Sequence, residues 1–188
     1  MEGLALPLSS MLGSAIPLRT DSAMVDSLSG GRMTVAESSL LTQPYTIVTG
    51  DAVGQWVADR ACDGRFYAPL SSCIGLMRGE RLVAGAIFDH YNHRSIHLHM
   101  AIERLTPTFL SALAHYAFDV AGVETVIAPV TAVNRRSRRA VEHAGFTLEA
   151  TLKNIHPTGD VLYYTLHRDA CPFSTSAYTS RLESYYGR

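Results

Sequence analysis

The stretch that constrains this chain most is residues 123–146, VETVIAPVTAVNRRSRRAVEHAGF. It opens with an apolar run that reads as a buried strand. Asn134 follows, a residue type that caps helix N-termini with its side-chain oxygen. An arginine-rich helix then runs from Asn134 to Ala144 and stops at Gly145-Phe146, where glycine supplies the left-handed backbone of a helix end. A buried strand that passes straight into a helix needs a sheet to lie in and a layer to pack on. The rest of the chain is expected to supply both.

Residues 1–44, rich in Ser, Leu, Met and Gly, show no sustained period and are expected to form a mobile or loosely packed tail, or an arm on the domain or on a second subunit. The organised domain is placed at residues 45–170, with a polar tail over residues 171–188. YTIVT from Tyr45 predicts a first strand, and Asp51 an N-cap for a short helix carrying Val53, Trp56, Val57 and Ala61 on one face. Two apolar runs around Arg78-Gly79-Glu80 read as a hairpin. The next turn, around residues 91–94, leads into SIHLHMAIE, where Ile96, Leu98 and Met100 alternate with His97 and His99. With Asn92-His93 at the turn centre, Phe88 lies opposite His97, Ala86 opposite His99 and His90 opposite Ser95, so that three histidines share a face. Thr106 and Pro107 open a helix that ends near Gly122. Two strands joined at residues 156–159 close the domain. The predicted order is β-α-β-β-β-α-β-α-β-β. It specifies an α/β (α+β) domain with a mixed, mostly antiparallel central sheet and helices on both faces.

Bulk properties narrow the functional classes. With 188 residues, 47% hydrophobic and 18% charged, the composition is that of a globular domain rather than a disordered chain. A formal net charge of −1 gives no whole-surface argument for nucleic-acid binding. Cys62, Cys73 and Cys171 are odd in number and widely spaced, matching neither a disulfide framework nor a zinc knuckle, and a cytoplasmic setting is expected. The N-terminus carries Glu2 and is broken by Pro7 and Pro17, so neither a signal peptide nor a membrane anchor is expected.

The element order and the residues Asn134, Ser137, Val141, Glu142, Gly145 and Phe146 resemble the GCN5-related N-acetyltransferase (GNAT) family, in a pattern similar to its RimJ/RimL-like members. Small phage and prophage proteins also have this look. The resemblance spans about residues 45–168 and implies an acyl-CoA, most simply acetyl-CoA, as donor and an amine as acceptor. It implies that the pantetheine arm lies between two diverging strands and that a helix N-terminus faces the pyrophosphate. On this reading the cofactor contacts are Met100, Ala101, Arg104, Thr106, Thr108, Asn134, Arg135, Arg136 and Arg139. The catalytic candidates are His99 or Glu103 as general base and Ser137 as the acid that protonates the thiolate. Backbone amides near Met100 and Ala101 would hold the oxyanion. One departure stands out: the family's glycine-rich phosphate loop corresponds here to residues 103–109, ERLTPTF, which contain no glycine.

Plainer readings accompany each of these residues. Asn134 can act as a cap alone, Ser137 as an ordinary helix-face serine, and the arginines at 135, 136, 138 and 139 as a solvated face. The same arginines could instead hold CoA phosphates or nucleic acid. Asp89, His90, His97 and His99 raise the idea of a metal, but their spacing fits no standard motif and no metal is expected. The acceptor is left open among a small-molecule, peptide or nucleobase amine, and a homodimer is also open. The rival readings are a catalytically silent GNAT fold that binds nucleic acid or a protein through the arginine helix, and a nucleobase-modifying enzyme on the same fold with a different donor.

Overall fold

The computed structural model describes residues 16–18 and 44–174. Its centre is one eight-stranded sheet in the order β1-β2-β3-β4-β5-β6-β8-β7. The strands are β1 (Ile16–Leu18), β2 (Tyr45–Thr49), β3 (Ser72–Arg78), β4 (Arg81–Asp89), β5 (Ser95–Ile102), β6 (Thr125–Thr131), β7 (Thr147–His156) and β8 (Gly159–His167). Every neighbouring pair is antiparallel except β5 with β6.

Helix α1 (Asp51–Ala61) covers one face. Its buried Val53, Val57 and Ala58 pack with Cys73, Ile87 and Ala101. Helices α2 (Pro107–Ala114) and α3 (Arg135–His143) cover the other, where Phe109, Leu113 and Val141 join Phe88, Leu98 and Tyr164 in the main core. The expected mixed sheet with helices on both faces is therefore the observed one. No helix among the described residues is long and apolar enough to cross a membrane.

Thr106 caps α2 as its residue type predicts, its hydroxyl oxygen accepting from the Phe109 amide at 3.2 Å. Thr106→Ala should lower stability by about 1 kcal/mol, read as a shift in the urea midpoint at unchanged m-value.

Several expectations are corrected. Asp51 does not cap α1 but is its first residue; the cap is Gly50, whose φ of 121° suits glycine better than a side-chain-bearing residue. Ala61 is exposed at the end of that helix, and Trp56 is partly covered by the Arg60 guanidinium, 4.1 Å above its ring. The long helix after Thr106 does not stay α-helical: it widens into a π-helix at His115–Val120. The Arg168 guanidinium donates there to the carbonyls of Phe118 and Val123. Within the N-terminal segment read as a tail, Ile16–Leu18 extends the sheet by pairing with β2. The remainder of residues 1–43 lies outside the described residues, as do residues 175–188. The C-terminal segment begins packed rather than free, with Cys171 buried and Phe173 against the core.

The correction with most consequence is in the β4–β5 register. Phe88 stands opposite Leu98, Ala86 opposite Met100, Ile87 opposite His99 and Asp89 opposite His97. This is one residue away from the pairing expected from the sequence. The cause lies in the connection. His90 takes a left-handed φ of 51°, and Asn92 is not at the turn centre. Its side-chain oxygen instead accepts from the amides of Arg94 and Ser95, at 3.1 and 2.8 Å. That Asx-type turn shifts the pairing by one residue. A one-residue slip changes every cross-strand partner; here it sets Asp89 beside the histidines.

Candidate active site at a parting of parallel strands

Strands β5 and β6 pair only across Ser95–Thr125, Ile96–Val126 and His97–Ile127. Beyond His97 they part, leaving a cavity of about 790 Å³. Its walls are Leu98 to Glu103 from β5 and the turn after it, Ala128 to Thr131 from β6, and Asn134, Arg136, Ser137, Ala140 and Val141 from α3. The end of α1 contributes Asp59, Arg60 and Ala61, and Asp63 and His156 lie on the rim. A second void, about 20 Å³ among Phe88, Phe118 and Phe146, is a packing gap in the core too small for a ligand.

Each role in the 134–146 pattern can be read from its contacts. Asn134 caps α3, its Oδ1 accepting from the Ser137 amide at 3.0 Å. Val141 is core, and the Glu142 carboxylate accepts from the buried Tyr164 hydroxyl at 2.8 Å. Gly145 ends the helix at φ 89°, and Phe146 is buried with its amide donating to Val141. The Ser137 side chain differs from these. It faces the cavity, and among the described residues its hydroxyl has no hydrogen-bond partner.

The backbone of β5 is directional at the gap. Arg94 accepts from Thr125 of β6 through its carbonyl, and Ile102 presents its carbonyl to α3, where Arg136 Nη2 donates at 2.9 Å. Backbone polar groups of alternate residues point to the same side of a strand. Met100 therefore directs its amide into the gap, whereas Ala101, paired opposite Gly85, directs its own towards β4. Of the two amides expected to face an oxyanion, only that of Met100 is placed for it.

The structure divides the remaining site residues. His99, Glu103, Ser137, Met100, Ala101, Asn134 and Arg136 all line the cavity. Arg104, Thr106, Thr108, Arg135 and Arg139 do not. The Arg104 amide is spent on the Val83 carbonyl and the Thr106 hydroxyl oxygen on its cap. Glu103 is tied to Arg81 at 2.6 Å. The arginines of α3 do not make one patch. Arg136 reaches to Ile102 at the gap, Arg138 turns to the Ala132 carbonyl at 3.4 Å, and Arg135 and Arg139 are exposed outside it.

The sequence groups Asp89 with His90, His97 and His99; which of them it touches depends on the register. Its Oδ1 lies 2.8 Å from His90 Nδ1 and 3.3 Å from His99 Nε2. Burial works against the Asp89 charge, but the hydrogen bonds from His99 and His90 outweigh it and hold the carboxyl below its usual range. Burial, with the neighbouring His90, pushes the His97 imidazole below its usual value. Cys62 and Cys73 pack with α1 and Ala101. Burial first, then neighbouring carboxylates, pushes each up to about 11, so neither is a thiolate near neutral pH.

No protein-family model matches the chain, and no curated protein matches it. Solved structures do. A protein assigned to the GNAT acetyltransferase family from Desulfovibrio desulfuricans superposes with a TM-score of 0.54 at 16% identity, over 66% of this chain and 99% of that one. The ribosomal-protein-S5-alanine acetyltransferase from Vibrio fischeri gives 0.53 at 12% identity, over 66% of this chain and 93% of that one. The fold is that of the GNAT acetyltransferases. At such identities the likeness extends to architecture, and the chemistry has to be argued from the cavity itself.

Proposed function

We propose that the protein is an acyl-CoA-dependent N-acyltransferase, with acetyl-CoA as donor and an amine as acceptor. The observation that carries this reading is the unpartnered Ser137 hydroxyl facing a gap between two parted parallel strands. The gap suits a thioester on a flexible amide-bearing arm. Unpaired strand backbone can bond the arm's amides, and the first turn of α3 offers a hydroxyl and Arg136 at the same opening. When bound, the donor supplies an acyl group activated as a thioester.

The chain's own groups divide the remaining work. A protonated amine loses two protons from nitrogen on its way to an amide. One ends on the departing sulfur, for which Ser137 is the donor, and is replaced on the serine from solvent. The other passes to a side chain at the gap and then to water. His99 suits that role better than Glu103, which Arg81 already engages. The Met100 amide is the donor for the tetrahedral oxyanion. Attack is direct, since among the described residues no cysteine lines the cavity to serve as nucleophile for an acyl-enzyme. The absence of glycine from residues 103–109 leaves the phosphate groups to Arg136, which can exchange the Ile102 carbonyl for an anion.

Titration calorimetry with acetyl-CoA tests the reading. Saturable one-to-one binding in the micromolar range is expected, and Arg136→Ala should weaken it by about tenfold, the loss of one charge-assisted hydrogen bond. Failure of the unmodified protein to bind at high micromolar acetyl-CoA would sink the proposal. The nucleic-acid alternative would need the α3 arginines to act as one surface, and their division between the gap, Ala132 and solvent does not provide it.

A further inference from the structure

We propose that Asp89, His97 and His99 form a binding site for one divalent first-row transition cation, Zn²⁺ or a cation of similar preference. The β4–β5 register brings them together: Asp89 is directly opposite His97, and His99, two residues further along β5, projects from the same face. One donor atom from each lies within 4.8 Å of the other two, and all three side chains are half-buried. A tetrahedral ion with bonds of about 2.1 Å needs donors about 3.4 Å apart, so an approach of roughly an ångström closes the site. Asp89 Oδ1 and His99 Nε2, at 3.3 Å, already meet that spacing. Rotation of the His97 ring supplies the rest.

The charge setting favours a cation. Among the described residues the ion-pair partners of Asp89 are histidines, His90 and His99, with no lysine or arginine to neutralise it. Two imidazoles and a carboxylate leave coordination positions open and select borderline transition metals over Mg²⁺ or Ca²⁺, which prefer oxygen donors. His90 packs beside the group: its ring stacks on His97 with centroids 4.8 Å apart, and its Nδ1 is 2.8 Å from Asp89. His99 also lines the gap, so a bound cation competes with the amine's proton for its imidazole. That consequence rests on the proposed acyltransfer; the binding site does not.

The test uses the full chain without a histidine tag, stripped with a chelator and titrated with Co²⁺. Visible ligand-field bands that saturate at one Co²⁺ per chain and are abolished by one equivalent of Zn²⁺ are expected. Asp89→Asn keeps the side-chain shape and should weaken binding at least tenfold; His97→Ala should do the same, while His93→Ala, in the nearby turn, should leave it unchanged. Circular dichroism confirms that each variant is folded. Absence of saturable bands in the unmodified chain, or an affinity in the folded Asp89→Asn and His97→Ala variants equal to that of the unmodified chain, overturns the site. Because the readout is the cation's spectrum, a negative result is separable from any failure to bind or turn over acetyl-CoA.

Discussion

Ser137→Ala is expected to lower kcat for acetyl transfer by about a hundredfold, the lower end of what a positioned general acid contributes, while leaving the dissociation constant for acetyl-CoA within about twofold. The split follows from the contacts. The structural duties of the α3 N-terminus are performed by the Asn134 side chain and the Ser137 amide, both of which survive the substitution. Alanine is also a better helix former than serine, so stability should hold or rise slightly. What is lost is the hydroxyl at the cavity wall. Steady-state kinetics with any amine that the protein accepts, paired with calorimetry, checks both halves. An unchanged kcat would return Ser137 to the status of an ordinary helix-face residue and remove the main support for its acid role.

Gly85→Val is expected to destabilise the fold by about 3 kcal/mol, in the upper part of the range for overpacking a tight core. Gly85 lies directly opposite Gly75 in the β3–β4 pair, and α1 packs on the strip they leave bare. A Cβ at Gly85 would stand 2.6 Å from Val57 Cγ2 and 3.3 Å from Trp56 Cε3. Val57 is β-branched and fully buried, so it has little freedom to move aside. The helix would have to lift, and its C-terminal end borders the cavity through Asp59, Arg60 and Ala61. Urea denaturation reads the stability loss, and acyl transfer at a temperature where the variant is folded reads the displaced wall. A loss below about 0.5 kcal/mol, the size of an inconsequential surface change, would mean that α1 does not depend on this glycine pair.

Much of this arrangement was legible in the residues themselves. Alternating apolar positions located β5, Thr106 and Pro107 located the start of α2, and Asn134 with Gly145-Phe146 marked both ends of α3. These are local signals, in which a side chain bonds the backbone of its own turn or a period of two or near four residues faces one core. The site was legible in part for the same reason. His99, Ser137 and Asn134 lie on elements whose ends the sequence marks, and all three reach the cavity. Arg104, Thr106 and Thr108 were assigned by position in a loop that lacks the family's glycines, and they do not line it.

The sequence by itself determined the order of elements, the two-sided sheet and the strand–Asn–helix–Gly-Phe unit, because capping, glycine conformation and burial period act over a few neighbouring residues. Only the tertiary structure decided what stands beside what. Asp89 joins His97 and His99 because an Asx turn at Asn92 and a left-handed His90 shift the β4–β5 pairing by one residue. The arginines of α3 separate because Arg136 bonds the Ile102 carbonyl of β5 while Arg138 bonds that of Ala132. Both outcomes depend on pairing between segments that are distant in the chain or reversed by an irregular turn, where a shift of one residue exchanges every neighbour.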